Sequence, residues 1–381
     1  MTDMIEKKKI ALIGPVYPYK GGISHYTSLL FRTLAKKYKI ELISYKMQYP
    51  RFLFKKEQKD FSNDMFKVEE TKFLIHTANP FNIVSVGKYI RKERPDLVIV
   101  QWWHPYFAPC YWLLENVLGK KINILFICHN VFPHERFPLD RFLTKSVIKK
   151  GDFFIVHSKS DAKELMQVMP NAQYKINPIP TYNAFKIKNM TKEHARMELH
   201  KSPDTMQLLF FGFVREYKGL KYLLRAMPEV KSKLGKVNLM VVGSFANDKD
   251  DYVQLINDMH IEDCVEIIDE YIPDSEVEKY FAACDLVVLP YESATQSAIV
   301  QIAYGFDKPV VATKVGGLPD VVLDGKTGYM VEARKPELLA EAIVDYFAEK
   351  REEEMCEYVR QEAYRFDWER LREKIEELVG W

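Results

Sequence analysis

Short runs of β-branched and aromatic residues alternate along the chain with stretches whose apolar positions recur every three to four residues. In the first half the runs read KKIALIG, KIELISY, DLVIVQW, INILFICH and DFFIVHS. Between them lie helical patterns such as YTSLLFRTLAKKY at 26–38 and NIVSVGKYIRKE at 82–93. The second half repeats the scheme with QLLFFGF, VNLMVVG, VEIID, LVVLP and PVVAT. Its helical segments include KGLKYLLRAMPEVKSKL, SEVEKYFAACD and PELLAEAIVDYFAEK. Near-continuous apolar strands alternating with amphipathic helices predict parallel sheets covered on both faces. The scheme occurs twice, so two sheets are expected.

Pro178 and Pro180 break the periodic pattern between the halves. The expected division is an N-terminal domain over 1–180 and a C-terminal domain over 181–365, both α/β and doubly wound. The last segment, WERLREKIEELVGW, is an amphipathic helix that the second sheet does not obviously accommodate. A helix over about 366–381 is therefore expected to cross back onto the first domain. In open α/β sheets ligands bind at the carboxyl ends of strands, so a substrate is expected where the two domains face each other across a cleft.

The chain has 381 residues, 47% hydrophobic and 28% charged, which suits a soluble protein of two cores. Its five cysteines are scattered with no C-x-x-C pair, which argues against a disulfide framework or a zinc site. The N-terminus enters a strand too quickly for a signal peptide, and no apolar run reaches a membrane span. A cytoplasmic location is expected. Charge is unevenly spread: residues 1–180 carry 29 Lys and Arg against 16 Asp and Glu, residues 181–381 carry 26 against 37. A balance of +13 in the first half points to an anionic partner, with solvated helix faces as the plainer reading. The segment YKMQYPRFLFKKEQKDF (45–61) interleaves aromatics with cations, as suits an anionic lipid surface or, equally, an internal flap. No nucleic-acid module is present, so nucleic acid is not expected as a partner.

Candidate chemistry concentrates at strand-to-helix turns. Gly21 and Gly22 follow the first strand, where glycine lets backbone approach a ligand and free N–H groups suit phosphate. The spacing is not G-x-G-x-x-G, which argues against a nicotinamide cofactor. In FFGFVREYKGL (210–220), Arg215 and Lys218 sit at the opening of a helix, where cations oppose the dipole unless an anion joins them. Thr295, Gln296 and Ser297 form the turn before SAIVQIAYG, with N–H groups aimed at the same anion and Gln301 one turn on as a ribose contact. Gln296 and Gln301 also suit an exposed helix face. Gly316 and Gly317 make a further loop of weak specificity. His129 ends INILFICH at a sheet edge, where it is a candidate donor to a sugar oxygen or a developing phosphate charge, or simply structural. His134 and Glu135 follow it, but no metal-ligand spacing is present, and no catalytic metal is implied.

With these residues in view, the chain resembles the retaining glycosyltransferases of family 4, which have the GT-B fold of two Rossmann-like domains. The resemblance spans nearly the whole length and is most specific over 208–330. Gly21–Gly22 matches the family's opening Gly-Gly turn, and His129 the histidine placed near the transferred sugar. Lys218–Gly219 matches the end of the G-R-L-x-x-x-K-G element that grips the donor diphosphate. Phe213 stands where arginine is usual, with Arg215 as its replacement. Aligned on Pro309, the E-G-F-G-x-x-x-x-E-A signature falls on Ala294–Thr295–Gln296–Ser297 and ends at Ile302–Ala303, so both signature glutamates are missing. Glu292 and Gln301 are the candidates to substitute.

The resemblance implies transfer of a hexose from a nucleoside diphosphate sugar, with His129, Arg215 and Lys218 catalytic. It implies donor binding by Gly21, Gly22, Glu292, Thr295, Gln296, Ser297 and Gln301. It implies no resident cofactor and no essential metal. The basic first half suggests a glycan or lipid-linked acceptor at the inner face of the cell membrane, as in polysaccharide or glycolipid assembly. The missing glutamates leave a second class open, a non-catalytic GT-B scaffold that binds a nucleotide sugar.

Overall fold

A computed structural model describes residues 7–54, 57–61, 64–133, 137–246 and 248–381. Lys55 and Lys56 of the aromatic–basic segment, and His134 and Glu135 after His129, lie outside the described residues. The chain forms two units, one of residues 1–177 with 368–381 and one of residues 178–367.

The first unit is built on seven parallel strands: β1 (Lys9–Ile13), β2 (Lys39–Met47), β3 (Lys72–His76), β4 (Leu97–Trp102), β5 (Asn123–Cys128), β6 (Phe153–Val156) and β7 (Gln173–Ile176). Their order is β3-β2-β1-β4-β5-β6-β7. All six residues of β4 are buried, because it pairs with β1 on one side and β5 on the other and carries helices on both faces. The core around Trp102, Phe107, Phe126 and Phe154 is aromatic-rich.

The second unit holds β8 (Met206–Phe211), β9 (Val237–Val242), β10 (Val265–Ile268), β11 (Leu286–Leu289), β12 (Val310–Thr313) and β13 (Gly328–Val331), in the order β10-β9-β8-β11-β12-β13. In each sheet the strand order reverses beside the first strand of that unit, between β1 and β4 and between β8 and β11. Chain connections leave in opposite directions there, opening a crevice at the carboxyl ends.

The helix Trp368–Val379 returns to the first unit and buries Leu371 and Ile375. Lys374 Nζ donates to Ile176 O at 2.6 Å, and Glu369 and Glu376 pair with Lys36 and Lys37 at 2.7 and 3.0 Å. At the other crossing, buried Glu278 accepts from the backbone N–H groups of Ile187, Lys188 and Met190 at 2.7–2.9 Å. One carboxylate thus fixes a segment that has no ladder of its own.

Candidate functional site

In the second unit, β8 runs into a tight turn over Glu216–Lys218, and Gly219 opens the helix Leu220–Leu234. Gly219 has φ of +67°, and a Cβ there would lie 2.0 Å from Pro290 O, so only glycine lets this turn meet the end of β11. The contact brings together two turns that lie more than seventy residues apart in sequence. Lys218 Nζ lies 3.1 Å from where a Cβ on Gly212 would be, and that same point is 3.5 Å from Ile299 Cδ1. The ammonium and the Ile299 side chain, from the first turn of the helix Ala298–Gly305, therefore flank the same space beside Gly212. It also lies 5.9 Å from the centroid of the buried Tyr291 ring.

The electrostatics of this corner are one-sided. Lys218 makes no ion pair among the described residues; burial, and then the neighbouring Arg215 cation, pull its pKa down to about 8. Arg215 itself is exposed. Gln301 is 1% exposed, yet neither its Oε1 nor its Nε2 has a hydrogen-bond partner. Gln296 Nε2 is likewise buried and unpartnered. Ser297 caps the helix without a side-chain bond to it and reaches Tyr291 OH at 3.3 Å. Thr295 O accepts from Gly317 N at 2.9 Å, which packs the Gly316–Gly317 loop onto the same turn. The first N–H groups of the helix Ala298–Gly305 have no intrahelical acceptor. Buried amide groups without partners and a cation without a counter-charge each cost free energy, and an anion or hydroxyl within reach would offset it.

Glu292 is engaged elsewhere: it forms ion pairs with Lys221 and Arg334, both at 2.9 Å. Burial raises its pKa, but the two cations outweigh this and hold the carboxyl below its ordinary value. Phe213, at the position where arginine is usual, is 47% exposed.

In the first unit, Gly21 caps the helix Gly22–Ala35 with φ of +106°, a conformation that needs glycine although a Cβ would meet nothing within 4 Å. His129 follows β5, its N–H donating to Trp102 O at 2.8 Å. Its Nε2 lies 2.7 Å from Gln101 Oε1, and its ring packs edge-on to Tyr26 at 4.7 Å and beside His157 at 5.2 Å. Burial, and secondarily His157, push its pKa well below the ordinary histidine value, so the imidazole is neutral at pH 7. His157 bonds Asn177 O through Nδ1 at 2.8 Å and is pulled down to about 4 by burial. Gln101, Tyr26 and His157 are absent from the sequence-based site. A lone glutamine inside the otherwise apolar LVIVQW was the one available signal.

Residues 205–349 match the family described as Glycosyl transferases group 1, and residues 20–181 match Glycosyltransferase Family 4. The chain is a family 4 glycosyltransferase with the GT-B fold. This glycosyltransferase is 25% identical over 250 residues to a D-inositol 3-phosphate glycosyltransferase of Corynebacterium diphtheriae, a match covering 63% of this chain and 58% of that protein. It is 26% identical over 321 residues to a lipopolysaccharide 1,2-N-acetylglucosaminetransferase of Salmonella typhimurium, covering 82% of this chain and 73% of that one. The fold is shared with Anabaena HepE solved in complex with UDP, at a TM-score of 0.74 and 18% identity, over 98% of this chain and 99% of that one. Among the described residues of the glycosyltransferase, no group of three His, Cys, Asp or Glu side chains is placed to hold a metal ion. No helix there is long and apolar enough to cross a membrane.

Proposed function

We propose that this glycosyltransferase moves a hexose, with retention of anomeric configuration, from a nucleoside diphosphate sugar bound by the second unit. The single observation that carries the donor assignment is the unpaired Lys218 ammonium, which shares the space beside Gly212 with Ile299 of the helix Ala298–Gly305, while Gln296 before that helix and Gln301 within it carry partnerless amide groups. As the sugar–phosphate bond breaks, negative charge grows on the leaving diphosphate. Lys218, Arg215 and the N–H groups around Thr295–Ser297 stabilise that charge without reorganising. Gln301 takes the ribose, where its amide both donates and accepts. Attack comes from the face the diphosphate leaves, and the leaving phosphate helps take the acceptor's proton, so no protein base is assigned. Glu292 reaches the donor only by releasing Lys221 and Arg334.

The acceptor is a glycan or lipid-linked molecule held by the basic first unit, in polysaccharide or glycolipid assembly at the inner face of the cell membrane. Supporting this are the exposed Phe52, Leu53, Phe54 and Phe61, which stand in the aromatic–basic segment at 77%, 56%, 42% and 71% exposure. Co-sedimentation with anionic vesicles at low salt tests the membrane part; absence of binding removes it.

UDP is the first donor nucleotide to try, because HepE was solved with UDP and with UDP-glucose. The deciding experiment is a thermal-shift screen against UDP, GDP, ADP and dTDP, followed by donor hydrolysis with the sugar of the best binder. A ligand at 100 times its dissociation constant adds about 2.7 kcal/mol of stability. Stabilisation with slow nucleotide release supports the transferase. Stabilisation with no release under any acceptor condition turns the reading to a nucleotide-sugar-binding scaffold. No stabilisation by any of the four defeats the donor site.

A further inference from the structure

Gln101 is fully buried in the central strand of the first sheet and does not touch solvent. Its backbone is locked by pairing with Ile127 of β5, and its carbonyl accepts from the buried Tyr111 hydroxyl at 3.2 Å. Tyr111 in turn hydrogen-bonds the Tyr45 hydroxyl. Its side chain is pinned from the other side, since a Cβ on Gly14 would lie 2.6 Å from Gln101 Cγ. A chain of buried contacts therefore holds the carboxamide in one place, with Oε1 2.7 Å from His129 Nε2. The amide Nε2 is buried without a partner, a cost that leucine or methionine would avoid in the same volume.

We propose that Gln101 is a positioning residue that fixes the proton of His129 on Nε2 and so leaves the Nδ1 lone pair as the atom offered to substrate. An amide oxygen facing Nε2 admits only the tautomer with a proton on that nitrogen. Nδ1 has no partner among the described residues. The ionisable side chains packed on the ring are His157 and Tyr26, and no carboxylate is among its ring or hydrogen-bond neighbours. His129 then accepts a hydrogen bond from a hydroxyl group of the sugar or acceptor. It neither donates to a substrate oxygen nor counters a phosphate charge. The consequence for turnover rests on the proposed transferase reading; the proton position does not.

The test is nitrogen-15 NMR of histidine side chains in the full-length protein without ligand, with His129→Asn used to assign the His129 signals among nine histidines. The expected result is a pyrrole-like Nε2 and a pyridine-like Nδ1 at neutral pH. In Gln101→Leu the two nitrogens should move towards averaged values. In Gly14→Ala, which keeps Gln101 but crowds its Cγ, they should do the same. A protonated Nδ1 in the unaltered protein overturns the proposal, as does an undisturbed Nε2–H tautomer in a folded Gln101→Leu. Gln101→Glu supplies the activity readout. A carboxylate there stabilises the imidazolium, places a proton on Nδ1, and makes turnover climb about tenfold or more as pH rises through the new histidine pKa. A loss of turnover that is uniform with pH would mark a purely structural role. Because the spectra are read on the free protein, failure to find any sugar transfer would fall on the function and not on the tautomer.

Discussion

Binding of the donor diphosphate should weaken as pH rises through about 8, and Lys218 should be the reason. In the free protein, burial and the Arg215 cation hold the Lys218 ammonium at a pKa of about 8. A diphosphate beside it favours the charged form, so its pKa must rise on binding. The sign follows directly. Below pH 8 the lysine is already protonated and the ligand meets a cation at no cost. Above pH 8 each binding event must also take up a proton. If the bound pKa returns to about 10, affinity at pH 9 should be roughly tenfold lower than at pH 7, or about 1.4 kcal/mol. Calorimetric titration of the best-binding nucleotide at pH 7, 8 and 9, in buffers of different ionisation enthalpy, reads both affinity and proton uptake. Lys218→Met should bind weakly and lose the slope, which separates the lysine from any titration of the nucleotide itself. Lys218→Arg should keep the charge and also lose the slope. A flat affinity in the unaltered protein, or an unchanged slope in Lys218→Met, would refute the assignment.

Arg215→Ala should reduce turnover by roughly 10²-fold, as loss of an oxyanion donor does, with Tm unchanged because the side chain is exposed; near-normal turnover removes Arg215 from the scheme. Glu115 is buried with both carboxylate oxygens unpartnered, and burial, opposed by Lys150 and reinforced by Asp152, raises its pKa to about 9. A raised folded pKa makes its contribution complete below the unfolded value and progressively lost as pH climbs towards 9. Glu115→Met should therefore flatten the fall in stability between pH 5 and 9 and gain on the order of 3 kcal/mol at pH 7; chemical denaturation at several pH values measures it, and an unchanged slope counts against the buried acid. Glu278→Ala strands three backbone N–H groups in a buried segment and should cost about 3–5 kcal/mol by urea denaturation; a loss under 1 kcal/mol would show that water replaces the carboxylate.

The fold class was legible because its central strands are short apolar runs that admit no other placement. LVIVQW and LVVL are buried at every position, and the runs expected from hydrophobicity form the middle of both sheets and, as VEII, one edge of the second. The strands that went unseen are β3, β7 and β13, all at or beside a sheet edge. KFLIH and QYKI are half-exposed on at least one side and carry lysines, and GYMV opens on a glycine. Edge strands bury one flank at most, so the apolar signal that identifies a central strand is diluted in them. Their existence follows from their neighbours' unpaired edges more than from their own residues.

The same division runs through the site. Turns are written locally, in Lys218–Gly219 or in Thr295–Gln296–Ser297, because glycine and small polar residues dictate backbone shape within a few positions. What a side chain faces is written nonlocally. Glu292 lies three residues past the end of β11, but its pairing with Arg334 depends on where the chain goes 42 residues later. His129 was legible as a strand-end histidine, yet its charge state comes from burial and, secondarily, from His157, which sits after a different strand. The consequence is a specific one for reading function in this fold. A pattern of turn residues tells where an anion can be held. What His129 can do is set instead by buried neighbours, of which only Gln101, polar in an otherwise apolar strand, leaves a mark in the sequence.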